Sequence, residues 1–98
     1  MSDSFVVASD LGTGGCKTLI VDEGGEVVAS AQAEYPTAYP HPGWCEQDPN
    51  DWLDAVGKTV QAALRQAELS PSQIAAFGLV GVTHNAVLLD EEGQPLRP

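Results

Sequence analysis

The stretch Asp10-Leu11-Gly12-Thr13-Gly14-Gly15-Cys16-Lys17 constrains this chain more than any other, because it sets a carboxylate, a hydroxyl and a glycine turn between two apolar runs. Phe5-Val6-Val7-Ala8-Ser9 precedes it and Thr18-Leu19-Ile20-Val21-Asp22 follows it. Both runs are short, rich in β-branched residues and bounded by turn formers, the marks of strands. A Walker loop requires G-x-x-x-x-G-K-[ST] at the start of a helix. Lys17-Thr18 match its end, but Leu11 and Cys16 occupy the two glycine positions. A dinucleotide fingerprint fails as well, since Lys17 stands where the third glycine belongs and a strand follows instead of a helix. What is left is strand, glycine turn, strand.

Such a turn can serve phosphate, because glycines tolerate positive φ and leave backbone N–H groups uncovered. Asp10, at the end of the first strand, can then hold a hydrated Mg²⁺, which takes one or two carboxylates together with phosphate oxygens. The alternative is an ordinary hairpin in which Asp10 caps its own backbone, as Asp does in many turns. The octet alone leaves both readings open.

Composition narrows the partners. The 98 residues are 43% hydrophobic, enough for one small globular unit. Fourteen acids against four bases give a formal net charge of −10, and no stretch clusters Lys or Arg. Nucleic acid and anionic membrane surfaces are therefore discounted as partners, and a phosphate ligand must come with a metal ion or rest on backbone N–H groups. No apolar run approaches the ~20 residues of a membrane span, and Met1-Ser2-Asp3-Ser4 lacks the basic start of a secretion signal, so a cytoplasmic location is expected. Cys16 and Cys45 lack C-x-x-C spacing and read as reduced thiols.

Beyond the opening hairpin, Glu23-Gly24-Gly25-Glu26 reads as a turn and Val27 to Tyr35 as a third strand. Pro36 to Gly43 carries three prolines and a glycine, which excludes helix and predicts a fixed, exposed loop. Asp48-Pro49-Asn50-Asp51 is a helix start, with Asp48 as N-cap and Pro49 at the first helical position. Trp52, Val56, Val60, Ala63, Leu64 and Ala67 then share one face of a helix of about five turns, laid on the sheet. Ser70-Pro71-Ser72-Gln73 caps a further short turn. Ile74 to Val82 is continuously apolar, the pattern of a central strand covered on both faces, and Ala86 to Asp90 resumes as a strand before the turn at Glu91-Glu92-Gly93. The expected order is βββαββ, an α/β unit with a mixed sheet and a crossover helix.

Three stretches taken in order carry a family likeness. Asp10-Leu11-Gly12-Thr13 with Lys17, then His41-Pro42-Gly43-Trp44-Cys45-Glu46-Gln47-Asp48-Pro49 with Trp52, then Gly81-Val82-Thr83-His84-Asn85 with Leu88-Leu89-Asp90 and Gly93, resemble the N-terminal domain of the FGGY carbohydrate kinases, particularly those of the xylulokinase kind. The likeness runs from about Val6 to Pro98. It implies a ribonuclease-H-like fold of the actin, sugar kinase and heat-shock-protein superfamily. Residues 1–98 would be the N-terminal part of the first domain, with the rest of that domain and the second domain absent.

The resemblance also implies an ATP-dependent kinase that transfers the γ-phosphate to a hydroxyl of a ketopentose such as xylulose, with ATP and Mg²⁺ as cofactors. Asp10, Gly12, Thr13, Gly14 and Lys17 would face the nucleotide phosphates, Asp10 also the metal, and His84 with its neighbour Thr83 the sugar. The catalytic base of such kinases lies far beyond residue 98, so the 98 residues alone are expected to be inactive. The stretch departs from xylulokinases at Val82-Thr83-His84-Asn85, where Gln-Met-His-Gly is usual, which leaves the sugar open. Gly14 and Gly15 replace small hydroxyl residues, a change expected to loosen the turn.

Simpler roles stand beside several of these. Lys17 also suits a solvated strand position, Trp44 and Trp52 core and loop packing, and Glu46-Gln47-Asp48 the start of the helix. His41 is assigned no chemistry. Expected partners are a small-molecule sugar, ATP and the remainder of the same chain, and pairing into a homodimer stays open. Three alternatives remain: a kinase for gluconate, ribulose or glycerol; a non-catalytic nucleotide- or sugar-binding sensor on the same fold; and an unrelated α/β domain whose Asp10 turn binds nothing.

Overall fold

The computed structural model describes residues 4–81 and 87–96. Strands β1 (Phe5–Leu11), β2 (Gly15–Val21) and β3 (Val27–Glu34) precede the helix α1 (Pro49–Ala67), and after one 3₁₀ turn at Pro71–Gln73 comes β4 (Ile74–Gly81). The sheet order is β3-β2-β1-β4. β1 and β2 are antiparallel, as are β2 and β3, while β4 returns across α1 to lie parallel to β1. This mixed sheet with one crossover helix has the order βββαβ, the first five elements of the expected βββαββ, and the fold is ribonuclease-H-like.

Strand alternation sorts the side chains. Val7, Ser9, Cys16, Thr18, Ile20 and Ala29 are buried on the face that carries α1, while Val6, Asp10 and Lys17 alternate to the other side and are exposed. Small residues on both partners bring helix and sheet close: Ala55, Thr59 and Ala63 are the buried positions of α1. Two apolar clusters result. One holds Val7, Ile20, Ala29 and Ala63, and the other holds Cys16, Tyr35 and Ala55 with Trp52 and Val56 packed against it.

Between the clusters runs a chain of buried hydroxyls. Ser9 Oγ lies 2.6 Å from Thr18 Oγ1, which lies 2.7 Å from Thr59 Oγ1. Thr59 donates to the Ala55 carbonyl at 2.8 Å. Each hydroxyl has a single proton, so Thr59 must accept from Thr18, and Thr18 in turn from Ser9. No buried side-chain polar atom among the described residues lacks a partner.

The helix begins as its sequence predicts. Asp48 is extended, its Oδ1 accepts from the Asn50 N–H at 3.0 Å, and Pro49 follows in the first turn. Gly57 has open space around it, so it is tolerated in the helix without a packing reason. The 3₁₀ turn is capped as expected, with Gln73 Oε1 accepting from the Ser70 N–H at 2.9 Å. Both cysteines are free, Cys16 buried and Cys45 exposed.

Two expectations change. β1 runs on through Asp10 to Leu11, so the turn proper is only residues 12–14. Within the described residues β4 lacks the expected cover on both faces: β1 is its sole sheet neighbour, and Phe77, Leu79 and Val80 are 50%, 55% and 65% exposed. The reason is placement, since among the described residues α1 packs chiefly on β2 and β3, and β4 joins the core only at Ile74. Of the last expected strand, Ala86 lies outside the described residues. Leu88 and Leu89 form one arm of a small hairpin, bridged from Leu89 to Pro95, with the Leu96 N–H donating to the Leu88 carbonyl.

The turn of that hairpin repeats the one between β2 and β3. Asp22 Oδ1 accepts from the Gly24 and Glu26 amides, and Asp90 Oδ1 from the Glu92 and Gln94 amides, all at 2.9 Å. Gly25 and Gly93 take the same positive-φ position in each.

The hydroxyl chain sets a testable cost. Thr18→Val leaves Ser9 without its acceptor and Thr59 without its donor, and is expected to destabilise the protein by about 2 kcal/mol. Ser9→Ala removes only a terminal donor and should cost about 1 kcal/mol. Urea unfolding of the two variants measures both.

Candidate functional site at the carboxyl ends of β1 and β4

The parallel strands β1 and β4 end together, with Leu11 paired to Gly81. In open α/β sheets this carboxyl end is where ligands bind. Here the chain leaves β1 into the glycine turn and leaves β4 into residues 82–86. Thr83 and His84, expected to face a sugar, fall in that second stretch and lie outside the described residues. A cleft of about 220 Å³ opens at this end, lined by Leu11, Gly12, Tyr35, Gln47, Trp52, Gly81 and Val87.

Asp10 sits one residue before the end of β1, exposed, directly opposite Lys17 in the β1–β2 ladder. Facing residues of an antiparallel pair project to the same side, so the carboxylate and the ammonium share the sheet face away from α1. Thr13 and Gly14 form the exposed tip between them. The structure therefore gathers Asp10, Gly12, Thr13, Gly14 and Lys17 in one hairpin.

A single exposed carboxylate with hard oxygen donors suits a Mg²⁺ that arrives with phosphate oxygens, not one held in an all-protein cage. Among the described residues no group of three or more His, Cys, Asp or Glu is placed to hold a metal.

The glycines act differently from expectation. None of Gly12, Gly14 and Gly15 has positive φ; among the described glycines that backbone belongs to Gly25, Gly43 and Gly93. Gly15 is needed because β3 passes close by, and a Cβ there would stand 2.6 Å from the Ala33 carbonyl oxygen. A Cβ at Gly12 would lie 3.3 Å from the Gly15 oxygen, while one at Gly14 would meet open space.

Nor is the turn loose. The Gly12 N–H donates to the Gly15 carbonyl at 2.8 Å, and the Tyr35 N–H to the Gly14 carbonyl at 3.2 Å. The Tyr35 hydroxyl reaches the carbonyls of Gly12 and Gly15, the latter at 3.0 Å. Burial, with Cys16 and Asp10 adding to it, raises the Tyr35 phenol above its ordinary range, so it stays a protonated donor.

Gln47 completes the clamp. Its Nε2 donates to the Thr13 carbonyl at 2.7 Å and to Thr37 Oγ1 at 2.9 Å, while its Oε1 accepts from Trp52 Nε1 at 3.0 Å. The proline-rich loop that delivers Gln47 is closed by paired backbone bonds between Ala38 and Glu46. In that loop Trp44 is half exposed and meets His41 edge to face, with ring centroids 4.4 Å apart. Trp44 is thus a loop-packing residue and Trp52 a partly buried one.

Sequence reasoning left Tyr35 and Gln47 without a part in this site. The signal available for Gln47 was its place in the Trp44 to Asp48 stretch, there read as the start of the helix. Tyr35 carried no such signal beyond its position at a strand end.

The model of the N-terminal domain of the FGGY family of carbohydrate kinases matches residues 5–98, and the chain belongs to this family. It is 35% identical over 94 residues to a glycerol kinase of Thermococcus onnurineus and 39% identical over 92 residues to the xylulose kinase of Escherichia coli, covering 96% and 94% of the chain. The crystal structure of a "xyloylose kinase" from Brucella ovis superposes with a TM-score of 0.90 at 40% identity over 96% of the chain. The chain spans about a fifth of each of these proteins: 19% of the two relatives and 20% of the crystallised chain.

Two glycine variants test the packing. Gly15→Ala, which forces a methyl against the Ala33 carbonyl, is expected to cost about 1–3 kcal/mol. Gly14→Ala should stay within about 0.5 kcal/mol, as open surface positions do. Urea midpoints of the two variants distinguish them.

Proposed function

We propose that this chain is the phosphate-side portion of an ATP-dependent carbohydrate kinase that phosphorylates a hydroxyl of a ketopentose such as xylulose. The observation that carries the reading is the juxtaposition of the exposed Asp10 with a clamped glycine turn, at the shared carboxyl end of two parallel strands and beside a cleft. Phosphoryl transfer asks the protein chiefly to place two substrates and to neutralise charge on the moving group. A Mg²⁺ held with Asp10 would neutralise charge on the phosphate oxygens. The Thr13 and Gly14 amides at the tip donate to none of the described backbone carbonyls, and they offer donors to the same phosphates. Lys17, on the face of Asp10, adds positive charge at the hairpin.

The sugar would enter from the cleft, with Thr83 and His84 contributing from beyond Gly81. The sugar oxygen attacks the γ-phosphorus as the bond to the ADP oxygen breaks, and its proton passes to a base outside these 98 residues. The 98 residues alone are therefore expected to be inactive. The 39% and 40% identity to xylulose-type kinases supports a ketopentose. The 35% identity to a glycerol kinase over nearly the same span supports a polyol as the second reading. A cytoplasmic setting accords with two free thiols.

ADP release measured over a panel of xylulose, ribulose, gluconate and glycerol, in the complete kinase to which these residues are assigned, tests the reading. Asp10→Asn is expected to lower kcat about 100-fold or more, the scale of losing an electrostatic contact to the reacting group. His84→Ala should mainly raise the KM of the sugar. Unchanged kinetics in Asp10→Asn would overturn the assignment of the phosphate site.

A further inference from the structure

The geometry points to Tyr35 and Gln47 as positioning residues that aim the Thr13 and Gly14 amides outward for phosphate, an inference that rests on the kinase reading of this hairpin. A trans peptide unit is planar, so the carbonyl of one residue and the N–H of the next point in opposite directions. No cis peptide bond occurs among the described residues. Holding the Gly12 carbonyl therefore fixes the direction of the Thr13 N–H, and holding the Thr13 carbonyl fixes that of the Gly14 N–H. Tyr35 holds the first carbonyl and Gln47 the second.

The clamped carbonyls are the inward half of each peptide and the two amides are the outward half. Without the clamps either peptide could rotate and present a carbonyl oxygen to an incoming phosphate, turning attraction into repulsion. The turn glycines offer little steric resistance to such a rotation, which is why side chains from outside the turn are needed.

Each clamp is itself oriented. Gln47 accepts from Trp52 Nε1, and this leaves its NH₂ group to face Thr13 and Thr37. Trp52 belongs to the first turn of α1 and packs with Tyr35 in one apolar cluster. Trp52, Gln47 and Tyr35 thus connect the start of the helix to the phosphate turn. They also line the cleft, without any of them being asked to touch the reacting atoms.

The test uses Gln47→Glu, which keeps the acceptor for Trp52 but sets a carboxylate against the Thr13 carbonyl, together with Tyr35→Phe and the milder Trp52→Phe. In the complete kinase, Gln47→Glu and Tyr35→Phe are each expected to raise the KM and Kd of ATP about 10- to 100-fold, the scale of losing alignment at a reacting group. The KM of the sugar should move several-fold less than the ATP constants, because these side chains line the cleft but hold the turn carbonyls directly. Trp52→Phe should move the ATP constants in the same direction by less. Hydrogen exchange at the Gly12 and Tyr35 amides, both bonded within the turn, should quicken about tenfold in Gln47→Glu as the turn opens locally.

Parental ATP constants in Gln47→Glu and Tyr35→Phe overturn the inference, as do equal shifts for ATP and sugar accompanied by a lowered Tm. If Gln47→Glu does not fold, Trp52→Phe, which keeps the aromatic packing, decides by the same split between ATP and sugar. A parent inactive on every sugar overturns the kinase reading and this inference with it. An active parent indifferent to all three changes overturns the inference alone.

Discussion

The buried hydroxyl chain from Ser9 through Thr18 to Thr59 is the interaction on which the rest of the structure depends. It joins β1, β2 and α1 at one point, and directional hydrogen bonds allow only one setting of helix against sheet, whereas apolar contacts alone tolerate sliding. The alanines beside it let α1 lie close. With the helix seated there, Trp52 packs against the cluster of Cys16, Tyr35 and Ala55, and the loop before Asp48 brings Gln47 to the β1–β2 turn. A core of modest size thereby fixes the surface around the β1–β2 hairpin.

That surface is built by division of labour. The β1–β2 ladder sets Asp10 across from Lys17, and the close passage of β3 makes glycine necessary at position 15. Residues far along the chain then hold the turn carbonyls: Tyr35 is 23 positions from Gly12, and Gln47 is 34 positions from Thr13. A turn of small residues is given a defined backbone by larger residues that do not belong to it. Glycines can therefore occupy the tip without the looseness their composition suggests.

Much of the architecture was legible beforehand. The period of apolar residues marks three strands and a helix, and Asp48-Pro49 marks where the helix begins, because caps and short-range periodicity are local properties. The candidate site could be proposed as a list of residues, since Asp10, Gly12, Thr13, Gly14 and Lys17 lie within one octet. The surroundings of β4 were not legible, because its unbroken apolar run reports what composition suits the strand, while sheet order decides which of the described residues lie beside it. The role of glycine was misjudged too, for a similar reason: a residue can be required by a neighbour's carbonyl as well as by its own φ.

The amino-acid sequence by itself determined the succession of elements, the Asp10 turn and the likeness to the FGGY carbohydrate kinases, since each is written in residues close together or in an order of short motifs. Only the tertiary structure decided that Tyr35 and Gln47 hold the turn, that Gly15 and not Gly14 is sterically required, and that β4 lies beside β1. The physical reason is common to all three. Hydrogen bonds and steric contacts act over a few ångströms, and chain folding brings residues separated by dozens of positions within that range, which periodicity and spacing do not specify.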